Sequence, residues 1–232
     1  MNKIFERLLY GTNIDIENIN KLIYIVESAD NLITITQFDK GFSLFESNKK
    51  YFPLINEYIE NFQGKLFTPE AIRFFCTKFR LCDEENPYDY IYYIYGIDDI
   101  NKLNTKCIYP TTVKIDISSI RQGITDRFEN YYFKNLCSDF LYFGTVINGE
   151  IVSLTGTTPN EMNFKAVGLS YETLPEHRNK GYAKSNTAAI IDYLLKNDFA
   201  VVFNVGLNNI ASINTVKALG LQRYGCQLTF FT

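Results

Sequence analysis

The sequence has one histidine, His177, in 232 residues. A single imidazole cannot furnish a metal-binding cluster. Nor does any Gly-x-Ser-x-Gly turn offer the nucleophile of a Ser-His-Asp hydrolase. The five cysteines, Cys76, Cys82, Cys107, Cys137 and Cys226, form an odd set without a C-x-x-C pair. That spacing predicts neither a disulfide framework nor a zinc site. No uncharged apolar stretch approaches the roughly 18 residues that cross a bilayer. The first residues, MNKIFERLLYGTN, interleave Lys3, Glu6 and Arg7 with apolar positions and so lack the core of a signal peptide. A reduced, soluble, cytoplasmic chain without metal and without a membrane partner is the expectation. The formal net charge of -3 is too small and of the wrong sign for a chain-wide nucleic-acid footprint, so nucleic acid is not an expected partner.

What is present reads as an ordinary globular chain. Hydrophobic residues make up 46% and charged residues 21%, which excludes wholesale disorder and leaves enough apolar surface for a sizeable core. The length fits one large domain or two small ones, and a polar segment from Asn101 to Cys107 before Pro110 predicts two, residues 1–105 and 106–232.

The first of these reads as a smaller, helix-rich α+β unit. Ile16, Ile19, Ile23 and Val26 recur at helical spacing, as do Phe52, Ile55, Ile59 and Phe62. Thr68-Pro69-Glu70 opens a third helix with a cap residue and a proline at its first position, and Ile72, Phe75 and Phe79 share one face of it. Between the first two helices, alternation around Asp39-Lys40-Gly41 predicts a hairpin from about Leu32 to Phe45, and Tyr90 to Tyr95 predicts a strand. No chemical motif lies in this half. It fits a lid, an oligomer contact such as that of a homodimer, or a degenerate duplicate of the second half.

The second half is more regular. Thr111 to Ile117 predicts a strand, Ile120 to Leu136 a helix, and Phe140 to Thr157 two strands joined at Asn148-Gly149. After Ala166 the order is strand, turn, helix (Tyr182 to Lys196), strand (Ala200 to Val205), helix from Asn208-Asn209 to a stop at Gly220, then strand. Such an order favours a mixed sheet flanked by helices, with the strands at 166 and 200 parallel. The fold class is therefore α/β, as an α+β mixed sheet.

The turn Leu174-Pro175-Glu176-His177-Arg178-Asn179-Lys180-Gly181-Tyr182-Ala183-Lys184 stops a strand and opens a helix. A helix N-terminus presents unpaired amides and about half a positive charge, so a tight turn feeding one suits an anion. Gly181 and Ala183 let an anion approach the backbone closely, and Arg178, Lys180 and Lys184 surround the point with positive charge. The pattern is neither the Gly-Lys-Ser/Thr closure of a Walker loop nor the three spaced glycines of a dinucleotide fold. Nucleotide hydrolysis and hydride transfer both lose ground.

The segments TLPEHRNKGYA and NNIASINTVKALGL resemble the C-terminal half of the GNAT superfamily of acyl-CoA-dependent N-acyltransferases, most closely between Ala166 and Leu221. That resemblance implies that Arg178, Asn179, Lys180, Gly181, Tyr182 and Ala183, with Lys184 beside them, wrap the pyrophosphate of coenzyme A. It implies too that the backbone of Tyr171, Glu172 and Thr173 pairs with the pantetheine arm, and that Asn209 and Ser212 lie near that arm; helix capping explains these last two equally well. The implied activity is transfer of an acetyl group from acetyl-CoA, as co-substrate, to a primary amine of a small molecule or peptide by direct attack.

Within the resemblance, Glu172 is the candidate general base, ahead of Glu150 and Glu161, and a strand amide near Thr173 is the candidate oxyanion donor. His177 stands at a variable position of the pattern and reads as structural. Many GNAT proteins carry a proton-donating tyrosine four residues before the glycine that ends the second helix. Here that residue is Val216, so either Tyr224 or water protonates the departing thiolate, or coenzyme A leaves as the thiolate itself. The alternative expectations are a non-catalytic acyl-CoA-binding or regulatory module and a protein-interaction module on a related fold.

Overall fold

A computed structural model describes residues 3–10, 12–15, 21–28, 32–62, 64–79, 91–119, 126–159 and 164–231. In chain order its elements are α1 (Lys3–Leu8), β1 (Ile23–Glu27), β2 (Leu32–Phe38), β3 (Ser43–Ser47), α2 (Phe52–Phe62), α3 (Pro69–Phe79), β4 (Ile91–Ile97) and β5 (Thr112–Lys114). These are followed by α4 (Tyr131–Lys134), β6 (Tyr142–Ile147), β7 (Glu150–Thr157), β8 (Ala166–Thr173), α5 (Tyr182–Lys196), β9 (Ala200–Gly206), α6 (Ile210–Ala218) and β10 (Gln222–Phe231). Two compact units share them. One comprises Met1–Tyr10, Tyr95–Phe203 and Ala211–Gln222, the other Gly11–Ile94, Asn204–Ile210 and Arg223–Thr232. The units interleave along the chain, so a single cut after residue 105 does not describe them.

In the first unit β5, β6, β7 and β8 pair antiparallel in that order, and β9 joins β8 in parallel. The β6–β7 hairpin turns at Asn148 (φ 50) and Gly149 (φ 83), two left-handed residues in succession, as the twist of a two-residue hairpin requires. Successive residues of β7 face opposite sides. Leu154 therefore joins an apolar cluster with Phe128, Phe133, Tyr142 and Leu174, while Ser153 and Thr155 face the other way, toward α5; Ile151 reaches the same cluster because the β6–β7 register shifts by one residue between Ile151 and Ser153.

α5 carries the buried polar run Ser185-Asn186-Thr187, and each of the three is bonded. Ser185 Oγ accepts from the Tyr109 amide at 2.7 Å and pairs with Thr112 Oγ1 at 2.6 Å. Asn186 Oδ1 accepts from Thr112 and Thr145, and its Nδ2 donates to the Ser153 carbonyl. Thr187 pairs with Thr155. A helix keyed this way cannot slide along its axis without stranding several buried polar groups, so its N-terminus is fixed over the end of β8.

In the second unit the strand order is β1-β3-β2-β10, with β1 parallel to β3 and the other neighbours antiparallel. Ile33, Ile35, Phe45, Ile55, Tyr58, Ile72, Phe75 and Leu228 form its core beneath α2 and α3. The hairpin expected around Asp39-Lys40-Gly41 is present as β2 and β3.

Three sequence expectations change here. Ile23 and Val26 belong to strand β1 rather than to a helix, because β-branched residues spaced by three also fit a short strand that gains a ladder to β3; Ile16 and Ile19 lie outside the described residues. The helix expected from Ile120 to Leu136 is, among the described residues, one turn at Tyr131–Lys134, and Asp126 to Asn130 lead into it without helical structure. Cys76 is disulfide-bonded, where no disulfide was expected, while Cys107, Cys137 and Cys226 are free. Spacing along a chain does not reveal which thiols approach within bonding distance. No described helix is long and apolar enough to cross a membrane.

Candidate functional site

β8 and β9 are paired only at Ala166, Val167 and Gly168, opposite Ala200, Val201 and Val202. On its other side β8 remains laddered to β7 as far as Thr173. The Gly168 carbonyl accepts from Thr158 and the Leu174 amide donates to Val152. By alternation, the main-chain groups of Leu169, Tyr171 and Thr173 point to the opposite edge, where β9 no longer pairs. Arg178 closes one of them, its Nε donating to the Thr173 carbonyl at 3.1 Å. The amides of Tyr171 and Thr173 and the Tyr171 carbonyl face an edge with no ladder partner among the described residues.

The turn follows at once. Pro175–His177 form one 3-10 turn, Asn179 takes φ 62, and Gly181, at φ 80, caps α5 with no side-chain bond to the helix amides. Main-chain bonding in this stretch is sparse. Arg178 N–H reaches the Pro175 carbonyl at 3.3 Å, and the next amide with a protein acceptor is that of Ser185, bonded to the Gly181 carbonyl at 3.0 Å. The six amides from Asn179 to Lys184 between them have no protein acceptor among the described residues. Two left-handed residues in a four-residue turn bend the chain so that successive N–H groups form a concave anion-binding nest continuous with the helix end. Arg178 and Lys180 are exposed and Lys184 half-buried around it.

Glu172 lies elsewhere on the strand. Its carboxylate faces the aromatic side, where Oε1 accepts from the Glu129 amide at 3.0 Å and Oε2 from the Asn130 amide at 2.9 Å. Asn130 Nδ2 donates in turn to Ser170 Oγ at 2.7 Å. The carboxylate thus anchors the entry to α4 and retains one further lone-pair direction on each oxygen. Thr173 Oγ1 pairs with Ser153 Oγ at 2.8 Å. Tyr171, one residue back, points to the opposite face. Its ring packs on Phe203 with centroids 5.9 Å apart, and burial pushes its phenol pKa up, with Ser212 and Thr215 partly offsetting the rise.

Of the remaining candidates, Ser212 shares the first unit with these residues, and Asn209 and Tyr224 belong to the second. The Asn209 amide donates to Gly206, and the Tyr224 carbonyl accepts from Asp39. Glu161 lies outside the described residues. Glu150 meets Arg127 at 3.5 Å, and Arg127 also pairs with Glu176, so Glu150 is an ion-pair partner at the start of β7. The His177 ring lies beside that of Tyr182, with centroids 6.5 Å apart. Val216 is fully buried. No group of three metal-ligating side chains exists among the described residues.

Two participants escaped the sequence reading. Tyr109 holds its hydroxyl over Gly181 and sets its ring edge-on to Tyr182 at 6.3 Å, and no local pattern announces that contact. Asn130, which completes the Glu172 anchor, stands directly before α4, and an asparagine at that place is a recognisable N-terminal signal.

The parallel pair of β8 and β9 thus parts next to this run of amides. Residues 113–221 match the model of the acetyltransferase (GNAT) family. Among solved structures, a putative GNAT-family acetyltransferase from Novosphingobium aromaticivorans is 15% identical, with 60% of this chain and 63% of that one covered and a TM-score of 0.47. A GCN5-related N-acetyltransferase from Kribbella flavida is 12% identical over 60% of this chain and 56% of that one (TM-score 0.44). The ribosomal-protein-S18-alanine N-acetyltransferase of Escherichia coli is 16% identical over 51% and 90% (TM-score 0.40). The chain spans less than two thirds of the length of the first two. No curated protein is significantly similar in sequence. Residues 113–221 form a GNAT acetyltransferase domain, and that membership supports acyl transfer as the reaction class.

Proposed function

We propose that this domain binds acetyl-CoA and transfers its acetyl group directly to a primary amine of a small molecule or peptide. The observation that carries the reading is the run of six unpaired amides, Asn179 to Lys184, beside the open edge of β8. A diphosphate fits the nest, with Arg178, Lys180 and Lys184 adding charge. The amides and carbonyl at Tyr171 and Thr173 match the alternating donors and acceptors of a pantetheine arm laid along the strand. The Thr173 amide then stands as oxyanion donor, and Glu172, through its remaining lone pairs, as the group that receives a proton from the amine or from an intervening water. Tyr224 is retained as a proton donor on the strength of the sequence alone.

The test is calorimetry of the purified chain with acetyl-CoA and with coenzyme A. Saturable binding of both supports the reading, and no binding of either removes it. A second reading, a non-catalytic acyl-CoA-binding or regulatory module, draws support from Val216, which is buried and has no proton to give. Turnover of any amine in a broad panel, above the rate of thioester hydrolysis, decides against that alternative.

A further inference from the structure

Arg7, on α1, is a half-buried cation without a carboxylate. Its Nη1 donates to the Ala166 carbonyl at 3.0 Å, the one hydrogen bond it makes among the described residues, and none of the ion pairs there includes it. Asp198, which also meets α1, is taken by Lys3. A guanidinium has five N–H donors, so four remain for a ligand. Burial lowers the Arg7 pKa, the sign of a desolvated charge that no anion offsets. Nη2 lies 3.5 Å from the position that a β-carbon on Gly168 would occupy, and the same β-carbon would collide with Thr158 Oγ1. The glycine thus leaves a bare patch of strand, over which stand a guanidinium and a hydroxyl. Side chains alternate along β8, so Gly168, Ser170 and Glu172 share one face, the one turned away from α5. All three positions are half-exposed, which leaves the strip between Arg7 and Glu172 open to solvent. Midway, Ser170 Oγ accepts from Asn130 and keeps its own proton to donate.

We infer that the acceptor is a short peptide with a free carboxyl terminus, that Arg7 binds its carboxylate, and that its amino terminus then lies at Glu172. The inference rests on the acetyl-CoA reading above, with Glu172 as the group that receives the amine proton, and adds to it the class of substrate. One end of the strip is positive and the other negative, so a zwitterion lies along it one way round; reversed, it would set like charges against each other at both ends. Gly168 and Glu172 are four residues apart, about 13 Å along a strand. With a contact of about 3 Å at each end, the two poles suit an amine and a carboxylate roughly 7–10 Å apart, the length of an extended di- or tripeptide. The planar guanidinium matches a carboxylate through two parallel N–H donors, and the Ser170 hydroxyl offers a donor to a peptide carbonyl between the ends. A polyamine fits worse, since it leaves Arg7 unpaired and brings a second cation toward it.

The experiment measures acetylation of matched pairs, di- and tripeptides of varied sequence with a free carboxyl terminus and the same peptides as carboxyl-terminal amides, by the full chain and by Arg7→Gln. Glutamine can still donate to the Ala166 carbonyl but carries no charge. The wild-type chain is expected to favour the acid over its amide by about tenfold or more in kcat/KM, chiefly through KM, as for hydrogen bonds to a charged group. In Arg7→Gln that ratio is expected to fall to about twofold or less. A ratio near one for every pair with the wild-type chain, or acetylation of no pair by a chain that binds acetyl-CoA, overturns the inference and leaves acetyl-CoA binding intact. A ratio that survives in Arg7→Gln, even where acid and amide both react more slowly, gives Arg7 a structural role alone and overturns the inference too. No binding of acetyl-CoA to the wild-type chain overturns the underlying reading as well. The wild-type ratio needs no variant, so the test stands even where Arg7→Gln fails to fold.

Discussion

The Tyr109 hydroxyl lies 2.5 Å from the position that a β-carbon on Gly181 would occupy. Gly181 is also at φ 80, where a side chain is strained regardless of space. Gly181→Ala is therefore expected to destabilise the chain by about 1–2 kcal/mol and to weaken coenzyme A binding by tenfold or more. Adding Tyr109→Ala should relieve only the collision, since the backbone strain remains. Urea melts and calorimetry on the single and double variants separate these contributions.

The Glu172 carboxylate offers one oxygen to each of two amides. Glu172→Gln keeps one acceptor and turns the other into a donor that opposes an amide hydrogen. A loss of about 1–2 kcal/mol of stability is expected. If Glu172 also receives the amine proton, the variant's kcat falls far more than its KM for acetyl-CoA rises. A variant with lowered stability and unchanged kcat would restrict Glu172 to holding the entry to α4.

Asn186 makes three hydrogen bonds, a part-buried one to Thr112 and buried ones to Thr145 and the Ser153 carbonyl. Asn186→Leu is close in volume but leaves these groups without their partner. The expected cost is about 2–4 kcal/mol in a denaturant titration. A change within about 0.5 kcal/mol would show that the network does not fix α5.

Cys226, a free thiol in the second unit, is pushed up to about 11 by burial from its ordinary value of 9.0. The unfolded chain therefore releases this proton first, and the folded chain binds more protons over the interval between. Stability that is fully present below pH 9 should decline as pH rises toward 11. Cys226→Ala should show a shallower decline over the same range, read from denaturant midpoints at several pH values. Identical slopes for the two proteins would contradict the assignment.

Much of this architecture was legible residue by residue. Asn148-Gly149 announced its hairpin because few other pairs accept two left-handed conformations in succession. Helix α5 and strand β8 were readable to their ends, since Pro175 and Gly181 punctuate them. Strand β1 was not, because three-residue spacing of Ile23 and Val26 fits either period over so short a run, and only the ladder to β3 decides. The anion turn was legible from Gly181 and its basic neighbours. Its strongest feature, six consecutive amides without acceptors, is a property of hydrogen bonding that no residue type encodes.

The account stands on whether those six amides grip a diphosphate, and amide NMR of the isotopically labelled chain reads them directly. Titration with coenzyme A is predicted to shift the resonances of Asn179 to Lys184 in a saturable way, while pantetheine, which lacks the diphosphate, leaves them in place. Resonances that stay unmoved by coenzyme A, or that answer pantetheine equally, would contradict it.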